Sequence, residues 1–416
     1  MNGAASVATR RTGAAVRWGD ARLHETARST RPPRVLWKNP GWMCLGASLA
    51  LTALGVLCIN LTEGVDSTGV GGFALRQLVF LPVGLLAAVI AATPHYKWVG
   101  RMTPTLVVLT LGMLLFVMLP VAPDWLVKPK NGARRWINLG VADFQPSEIA
   151  KVVYILMLAR YLRFRKNYRR LRGLAPPLAL TFLPMALIVI EPDLGTALLF
   201  LPTFFAVLIA AGAKLKHLAL LVLAAAMLAP AMYPVLEPHQ RDRVSAMWNQ
   251  IRGDRRSADS INYQGFQAIT LVGAGGVTGL GPQLSRAVVD FNNLPEDHND
   301  MIFAVIVDRF GLLGAGLTVA LYLAWIGGAL WVAASCKDPF GRLVVVGLAS
   351  MVGAQAFLNI AMTIGLAPIT GMTLPFVSYG GSSLVVAYLM TGLILSVAMR
   401  RPAYLARRSF EFASDD

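Results

Sequence analysis

Long apolar runs, separated by shorter polar and basic stretches, set the pattern of this chain. A helix needs about 20 consecutive apolar residues to cross a bilayer, and several runs reach that length. The pattern predicts an all-α integral membrane protein with about ten transmembrane helices. The eighth run is long enough to extend beyond the bilayer or to bend. The predicted spans are residues 41–60, 74–93, 103–122, 147–163, 175–190, 195–212, 217–234, 300–333, 341–366 and 378–399.

Composition and charge agree with a membrane protein. The 416 residues are 56% hydrophobic and 14% charged, with a mean hydropathy of +0.57, whereas a soluble domain carries about a quarter charged residues. The net charge of +16 raises the question of a nucleic-acid partner. Its basic residues, however, lie in short clusters between the apolar runs, as in the cytoplasmic loops of membrane proteins. The charge therefore predicts orientation, with both termini cytoplasmic, and no nucleic-acid partner.

Three regions follow from the same pattern. Residues 1–40 form a basic tail, expected to be cytoplasmic and disordered, without the apolar segment of a cleaved signal peptide. Residues 41–400 form the membrane domain, and 401–416 form a cytoplasmic C-terminal tail. A large extracytoplasmic loop, 235–299, joins the seventh and eighth helices, and its Pro, Gly and charge content argues against a further span. Three cysteines and five histidines show no ligand spacing, so no structural metal site is predicted.

The first polar motif, QPSEIAK, lies at the start of the fourth predicted span. Glu148 and Lys151 are three residues apart, on one face of a helix, and can pair just inside the membrane. An ionisable pair at that depth indicates a functional site, with a purely structural ion pair as the alternative. Arg135, beside Trp136, is either an interfacial anchor or a contact for an anion.

Two further motifs concern the backbone. In EPDLGTA, residues 191–197, Asp193 is placed to cap the next helix through its carboxylate. In residues 359–383, two prolines, several glycines and the sequence SYGGSS interrupt an apolar region. They predict a broken, re-entrant backbone, which is tolerated at membrane depth only inside protein or along a wet cavity.

The large loop holds the remaining motifs. Arg241 and Arg243 supply positive charge suited to a phosphate-bearing partner. The run GAGGVTGLG, residues 273–281, lacks the ending of a phosphate-binding loop, so a close approach of its backbone to another segment is favoured. The run LPEDHND ends at Asp300, an acid at the mouth of an apolar span and well placed to enter a polar cavity.

In this order, the motifs resemble those of the SEDS family (shape, elongation, division and sporulation; RodA/FtsW-like proteins). The resemblance covers about residues 41–400 and rests on GARRWI with FQPSEIAK, PDLGTA, LPEDHND with IFAV, and PFVSYGGSS. It implies the ten-helix SEDS fold and a peptidoglycan glycosyltransferase that polymerises lipid II. It also implies a multi-pass protein of the bacterial cytoplasmic (inner) membrane, with its active site on the outer face. The implied partners are a class B penicillin-binding protein, which crosslinks the strands, and other divisome or elongasome membrane proteins.

The resemblance also implies site residues. Asp300 stands at the position of the family's essential aspartate and is the expected general base. The expected substrate-binding residues are Lys151, Glu148, Arg135, Arg243, Gln240, His298, Asn359 and Ser378. The chain departs from the common family pattern at Glu191, where Gln is usual, and at Ala268, Asn299, Met301, Asp308 and Arg309.

The chemistry explains why such residues are expected. A sugar hydroxyl that attacks an anomeric carbon needs a base, and a departing polyprenyl diphosphate needs positive charge rather than an acid. Arg243, Lys151 and Arg135 either supply that charge or hold the shape of the cavity, and Glu148 would orient Lys151. A divalent cation (Mg²⁺ or Mn²⁺) is the alternative source of charge, and no other cofactor is expected. His298 either positions the loop or contacts substrate.

Two other functions stay open at this point. A lipid II flippase would share the cavity and the basic groove, and a non-catalytic scaffold would recruit a class B penicillin-binding protein. The sequence shows no matched pair of broken segments of the kind that marks many transporters. It does not distinguish a role in division from one in elongation.

Overall fold

The computed structural model describes residues 39–62, 71–119, 123, 125–127, 134–138, 140, 143–165, 167–232, 241, 245, 263–292, 294 and 296–400. The predictions for the chain before residue 39, for the tail 401–416, and for Gln240 and Arg243 lie outside the described residues.

The described residues form twelve α-helices and one antiparallel pair of two-residue strands, in which Ile137 pairs with Phe144. Two 3₁₀ turns, Asn167–Arg169 and Leu171–Leu174, precede the fifth helix. The elements are α1 Gly41–Ile59, α2 Gly72–Ala92, α3 Tyr96–Met118, β1 Ile137–Asn138, β2 Asp143–Phe144, α4 Pro146–Arg163, α5 Ala175–Ile190, α6 Leu194–Ala211, α7 Leu215–Met232, α8 Tyr263–Ala274, α9 Gly281–Asn292, α10 Ile302–Ser335, α11 Pro339–Thr363 and α12 Gly381–Met399.

Eight helices of the described part are long and apolar enough to cross a membrane, which confirms the all-α membrane fold. They are α1, α2, α3, α5 with the 3₁₀ turn before it, α6, α10, α11 and α12. The other two predicted spans correspond to α4 and α7. Helix α4 carries two charged residues near each end, and the apolar stretch of α7 is short, Leu215–Leu228. The count of ten spans stays a prediction.

The most deeply buried helices are α4, α11, α12 and the first half of α10. Helix α12 packs along α2, α10 packs against α1 and α11, and α11 packs against α6 and α4. Tyr154, Tyr388 and Trp325 are among the largest fully buried side chains. By contrast, α2 and α3 expose rows of Leu and Val, as lipid-facing helices do. Polar groups on the central helices are therefore shielded from lipid.

Helix α10 is broken at Gly311, which has φ 64° and ψ −157°. The bend that its length allowed is confirmed. In an unbroken helix, the N–H groups of Leu312 and Leu313 would donate to the carbonyls four residues earlier. Here they donate to the carbonyl oxygens of Gly276 (2.9 Å) and Val277 (3.2 Å). The freed carbonyl of Asp308 accepts from Leu280 N at 2.9 Å.

The backbone of the glycine run thus supplies hydrogen-bond partners for groups released at the break in α10. Two of its residues must be glycine, because the backbones approach too closely for a side chain. A Cβ on Gly275 would lie 2.0 Å from the carbonyl oxygen of Val307, and one on Gly279 would lie 2.1 Å from that of Arg309. The predicted close approach of this backbone is confirmed. The run joins α8 and α9, two helices of 12 residues that the sequence analysis did not anticipate in the large loop. Residues 263–292 are called the arm below.

The predicted break in the chain after α11 is also confirmed. Residues 364–380 are non-helical, yet Leu374, Phe376 and Val377 are fully buried. Gly55 on α1 makes room for this segment, because a Cβ there would lie 2.2 Å from the carbonyl oxygen of Val377. The irregular backbone is therefore enclosed by protein, as membrane depth requires.

We expect Gly311→Ala to destabilise the protein, because the left-handed φ alone costs about 1–3 kcal/mol for other residues. The new Cβ would also lie 2.4 Å from backbone atoms of Gly279 and Val277. Thermal unfolding in detergent measures the effect. Gly316→Ala is the matched control, since a Cβ there meets nothing within 4 Å. Equal unfolding temperatures for the two variants would contradict the role given to the break.

Candidate active site

The predicted pair of Glu148 and Lys151 forms at the start of α4. Pro146 occupies the first turn, where its missing N–H has no partner to lose. Lys151 Nζ lies 2.9 Å from Glu148 Oε1 and 2.9 Å from Gln355 Oε1. Lys151 is 2% exposed and Glu148 is 6% exposed. The ammonium is thus buried with a carboxylate and an amide oxygen as its acceptors.

Gln355 connects this pair to the broken segment that follows α11. Its Nε2 donates to the Thr373 carbonyl at 2.9 Å, and Thr373 Oγ1 lies 3.0 Å from Ser383 Oγ. Gln355 was not predicted as a site residue. Its signal in the sequence is a pair of amides, Gln355 and Asn359, four residues apart in a mainly apolar run.

Asn359 connects the same helix face to Asp300. Its Nδ2 donates to the carbonyl oxygens of Asp300 (2.8 Å) and Met372 (2.6 Å). Asn359 therefore holds the backbone at Asp300, next to the expected base. Lys151 and Asp300 are linked through neighbouring turns of α11.

Asp300 itself is 6% exposed and stands just before α10. Its Oδ1 lies 3.4 Å from Nε2 of Gln264, a residue on α8 that no sequence motif indicated. The turn before it is closed by hydrogen bonds from the backbone N–H groups of Asn299 and Met301 to the Glu296 carbonyl. The N-terminal end of α10 carries partial positive charge, which suits a carboxylate there.

His298 is fixed by its neighbours. Its ring stacks on Phe73, with ring centroids 4.3 Å apart and an angle of 12° between the planes. Its carbonyl accepts from Tyr379 N at 2.9 Å. These contacts support the positioning role that the sequence left open beside substrate contact.

Ser378 also closes a turn in this structure. Its Oγ accepts from Leu374 N at 2.6 Å, and its carbonyl accepts from Gln77 Nε2 at 3.0 Å. Both hydrogen bonds shape the backbone of the broken segment where it passes His298.

Arg135 precedes β1, and its side chain contacts the turn between α5 and α6. Its Nε donates to the Glu191 carbonyl at 2.7 Å and its Nη2 donates to the Pro192 carbonyl at 2.5 Å. The guanidinium is also 6.0 Å from the Trp136 ring centroid. These contacts make Arg135 a clamp on this turn, which supports a role in holding the shape of the site.

Asp193 caps α6, as predicted, and also holds the start of α4. Its Oδ1 accepts from Thr196 N at 3.2 Å. Its Oδ2 accepts from Gln145 Nε2 (2.9 Å) and Ser147 Oγ (3.1 Å). Through Asp193, the α5–α6 turn determines where α4 begins and so where Glu148 and Lys151 lie.

Glu191 is unusual among the polar residues at the α5–α6 turn. It is 2% exposed, and neither carboxylate oxygen has a hydrogen-bond partner among the described residues. Burial, together with the nearby Asp193 carboxylate, raises the pKa of Glu191 to about 8, despite the opposing effect of Arg135. Glu191 is therefore mostly protonated at neutral pH.

Asp308 joins the arm to α10. Its Oδ2 accepts from Ser285 Oγ on α9 at 2.5 Å, and Asp308 is fully buried. The described residues include no group of three or more His, Cys, Asp or Glu side chains that could hold a metal ion.

Comparison with known proteins identifies the family. The model of the FtsW/RodA/SpoVE family, described as a cell cycle protein, matches residues 42–402. The chain belongs to this family. It is 36% identical over 377 residues to a probable peptidoglycan glycosyltransferase FtsW of Alkalilimnicola ehrlichii, covering 88% of this chain and 89% of that protein. It is 32% identical over 354 residues to the peptidoglycan glycosyltransferase MrdB of Escherichia coli, covering 85% and 92%.

Solved structures of the family have the same fold. One is a chain from a structure described as showing the coordination of polymerization and crosslinking by a peptidoglycan synthase complex. It matches with a TM-score of 0.72 at 31% identity, over 86% of this chain and 98% of that one. The rod shape determining protein RodA of Thermus thermophilus matches with a TM-score of 0.63 at 26% identity, over 87% and 97%.

We expect Glu148→Gln to destabilise the protein by about 3–5 kcal/mol, because it leaves the Lys151 ammonium buried without its carboxylate. The double variant Glu148→Gln/Lys151→Met should recover part of that loss. Thermal unfolding in detergent tests both. Arg163→Gln is the control, because it removes a more exposed ion pair with Asp338 (3.6 Å), worth about 0–1 kcal/mol. A similar loss from Glu148→Gln and Arg163→Gln would refute this assignment.

A second prediction concerns Glu191→Gln. Between about pH 4.5 and 8, the folded state keeps a proton that the unfolded state releases, so the free energy of unfolding falls as pH rises. Glutamine cannot ionise. The unfolding temperature of the variant should therefore exceed that of the parent by an amount that widens from pH 5 to 8 and then levels off. At pH 8 we expect a gain of at least about 2 °C; a pH-independent difference would contradict the prediction.

Proposed function

We propose that this chain polymerises lipid II into peptidoglycan glycan strands, with Asp300 as the general base. Its curated relatives are named peptidoglycan glycosyltransferases, and the chain is an enzyme of that class. The observation that carries the proposal is that one face of α11 connects a buried acid and a buried ammonium. Asn359 donates to the main-chain carbonyl of Asp300, and Gln355, one helical turn away, accepts from Lys151.

The proposed reaction is a single displacement. The 4-hydroxyl of one lipid-linked disaccharide gives its proton to the Asp300 carboxylate as its oxygen attacks the anomeric carbon of another. The bond from that carbon to the diphosphate oxygen breaks, and the polyprenyl diphosphate leaves with the bonding electrons. Attack from the opposite face inverts the carbon, so an α-linked donor gives a β-linked strand. One carboxylate is enough, in contrast to the pair used by glycoside hydrolases.

Positive charge is the second requirement, because negative charge grows on the departing diphosphate. Among the described residues, we assign this role to Lys151, because its ammonium is buried and linked through α11 to Asp300. Glu148 and Gln355 orient it. Arg243 and Gln240 stay in the proposal as expected substrate contacts from outside the described residues. A divalent cation also stays an expectation, and no step is assigned to one. Arg135, His298 and Ser378 act by holding the turns that enclose the site.

The proposal includes location and partners. The chain is a multi-pass membrane protein, and we place both termini in the cytoplasm and the site at the outer face of the cytoplasmic membrane. The basic clusters support this orientation. A class B penicillin-binding protein is the proposed partner, supported by the similarity to a peptidoglycan synthase complex. Other divisome or elongasome proteins are expected as further partners.

We expect Asp300→Asn to lower polymerisation of labelled lipid II by at least about 100-fold, the low end of what a general base contributes. The full-length protein should be assayed with its class B penicillin-binding protein. Asp290→Asn is the matched control, because Asp290 is an exposed acid on α9, and it should polymerise like the wild type. Equal elution profiles in size-exclusion chromatography would show that both variants fold.

The alternatives predict different results. Full polymerisation by Asp300→Asn would reject Asp300 as the base. If the wild type with its partner polymerises nothing but moves lipid II across vesicles, the flippase alternative holds. If it does neither, yet stimulates crosslinking by its partner, the scaffold alternative holds.

A further inference from the structure

We propose that Gln264 is a positioning residue for Asp300, and that the arm holds Gln264 in place. The inference rests on the proposed function, since it assigns Asp300 the role of base. Gln264 is the second residue of α8, and its Nε2 lies 3.4 Å from Asp300 Oδ1. An amide nitrogen can only donate, so this contact suits a carboxylate. Contacts of catalytic groups are often long without substrate and shorten when it binds.

The contact engages one defined oxygen of Asp300. With Oδ1 directed towards Gln264, this contact restrains rotation of the carboxylate about its last bond. Asn359 fixes the backbone of the same residue through the Asp300 carbonyl. The two amides thus hold Asp300 at two points, one on the main chain and one on the side chain.

The register of the arm explains why Gln264 reaches Asp300. Gly276 accepts from Leu312 at the break in α10, and Gln264 lies near Asp300 at the other end. Gln264 precedes Gly276 by the same twelve positions by which Asp300 precedes Leu312. Twelve helical residues span about 18 Å. Helix α8 therefore runs alongside the first half of α10 in the same direction, and a slip of one turn would withdraw Gln264.

Several contacts prevent such a slip. The buried face of α8 consists of Gly265, Ala268 and Leu271 at helical spacing, and its small residues permit close packing. The Ser285–Asp308 hydrogen bond secures α9 to α10 at 2.5 Å. Asp308 and Asp300 lie on the same stretch of chain before the break. The anchor and the base are therefore parts of one segment.

The first test uses Gln264→Met, which keeps the length of the side chain but removes the donor. We expect kcat for lipid II polymerisation to fall about ten- to hundredfold, the usual effect of losing a hydrogen bond to a charged group. KM should not change, because Gln264 acts on Asp300 and not on substrate. Gln264→Glu should lose at least as much, because it places a second acid beside the base. Gln283→Met is the control, the same substitution at an exposed position of the arm, and it should match the wild type.

The second test asks whether the arm acts through Gln264. Ser285→Ala removes the hydroxyl that holds α9 to Asp308. It should lower kcat when Gln264 is present but have little further effect in a Gln264→Met background. Additive losses would overturn the role of the arm.

The outcomes separate this inference from the proposed function. Wild-type kcat in Gln264→Met, with Asp300→Asn inactive, would overturn the inference and keep Asp300 as the base. A rise in KM with kcat unchanged would make Gln264 a substrate contact and would also overturn it. Activity in Asp300→Asn would reject the proposed function itself.

Discussion

The structure depends on one constraint: backbone N–H and C=O groups at membrane depth must find partners within the protein. Helix α10 breaks at Gly311, and three of the backbone groups that the break releases, the N–H groups of Leu312 and Leu313 and the Asp308 carbonyl, bond to the glycine run of the arm. The segment after α11 meets the same demand by burial against Gly55. The segment after α11 adjoins Asp300 through Asn359, which donates to the carbonyl oxygens of Asp300 and Met372. The break in α10 lies about 18 Å farther along that helix, where its hydrogen bonds fix the arm against α10.

Helix α11 is the element from which the site is organised. Its two amides, Gln355 and Asn359, bond to Lys151, to the broken segment and to Asp300. An amide is well suited to this position, because it forms hydrogen bonds without adding charge. Gln355 donates to the Thr373 carbonyl and accepts from Lys151, and Asn359 donates to two carbonyls. The buried ammonium of Lys151 needs Glu148 for balance, whereas the amides connect distant segments at little electrostatic cost. A helix packed against α4, α6 and α10 provides the rigid support that a catalytic geometry requires.

Much of the fold and of the site could be predicted from the sequence, because hydrophobic periodicity and short motifs reveal local features. The bend in α10, the Glu148–Lys151 pair, the Asp193 cap and the broken segment all follow from residues close together in the chain. Contacts between residues far apart in the chain could not be predicted from the sequence. Nothing near Gln264 indicates that it meets Asp300, 36 positions away, or that Arg135 binds carbonyls of the 191–192 turn. The helices of the arm were also missed, because their glycines and charges resemble those of a loop.

Three of the six departures from the family pattern, at Asn299, Asp308 and Arg309, can be explained by contacts of these residues. At position 309, the close contact is made by the main chain, because the Arg309 carbonyl packs against Gly279. The Arg309 side chain lies over Phe310, 5.0 Å from its ring centroid. Asp308 keeps the carboxylate that accepts from Ser285. Asn299 donates to the Glu296 carboxylate within its own turn. In none of these contacts does the substituted side chain touch the Asp300 carboxylate. The chain can therefore differ at three positions around its proposed base while the groups that hold that base stay in place.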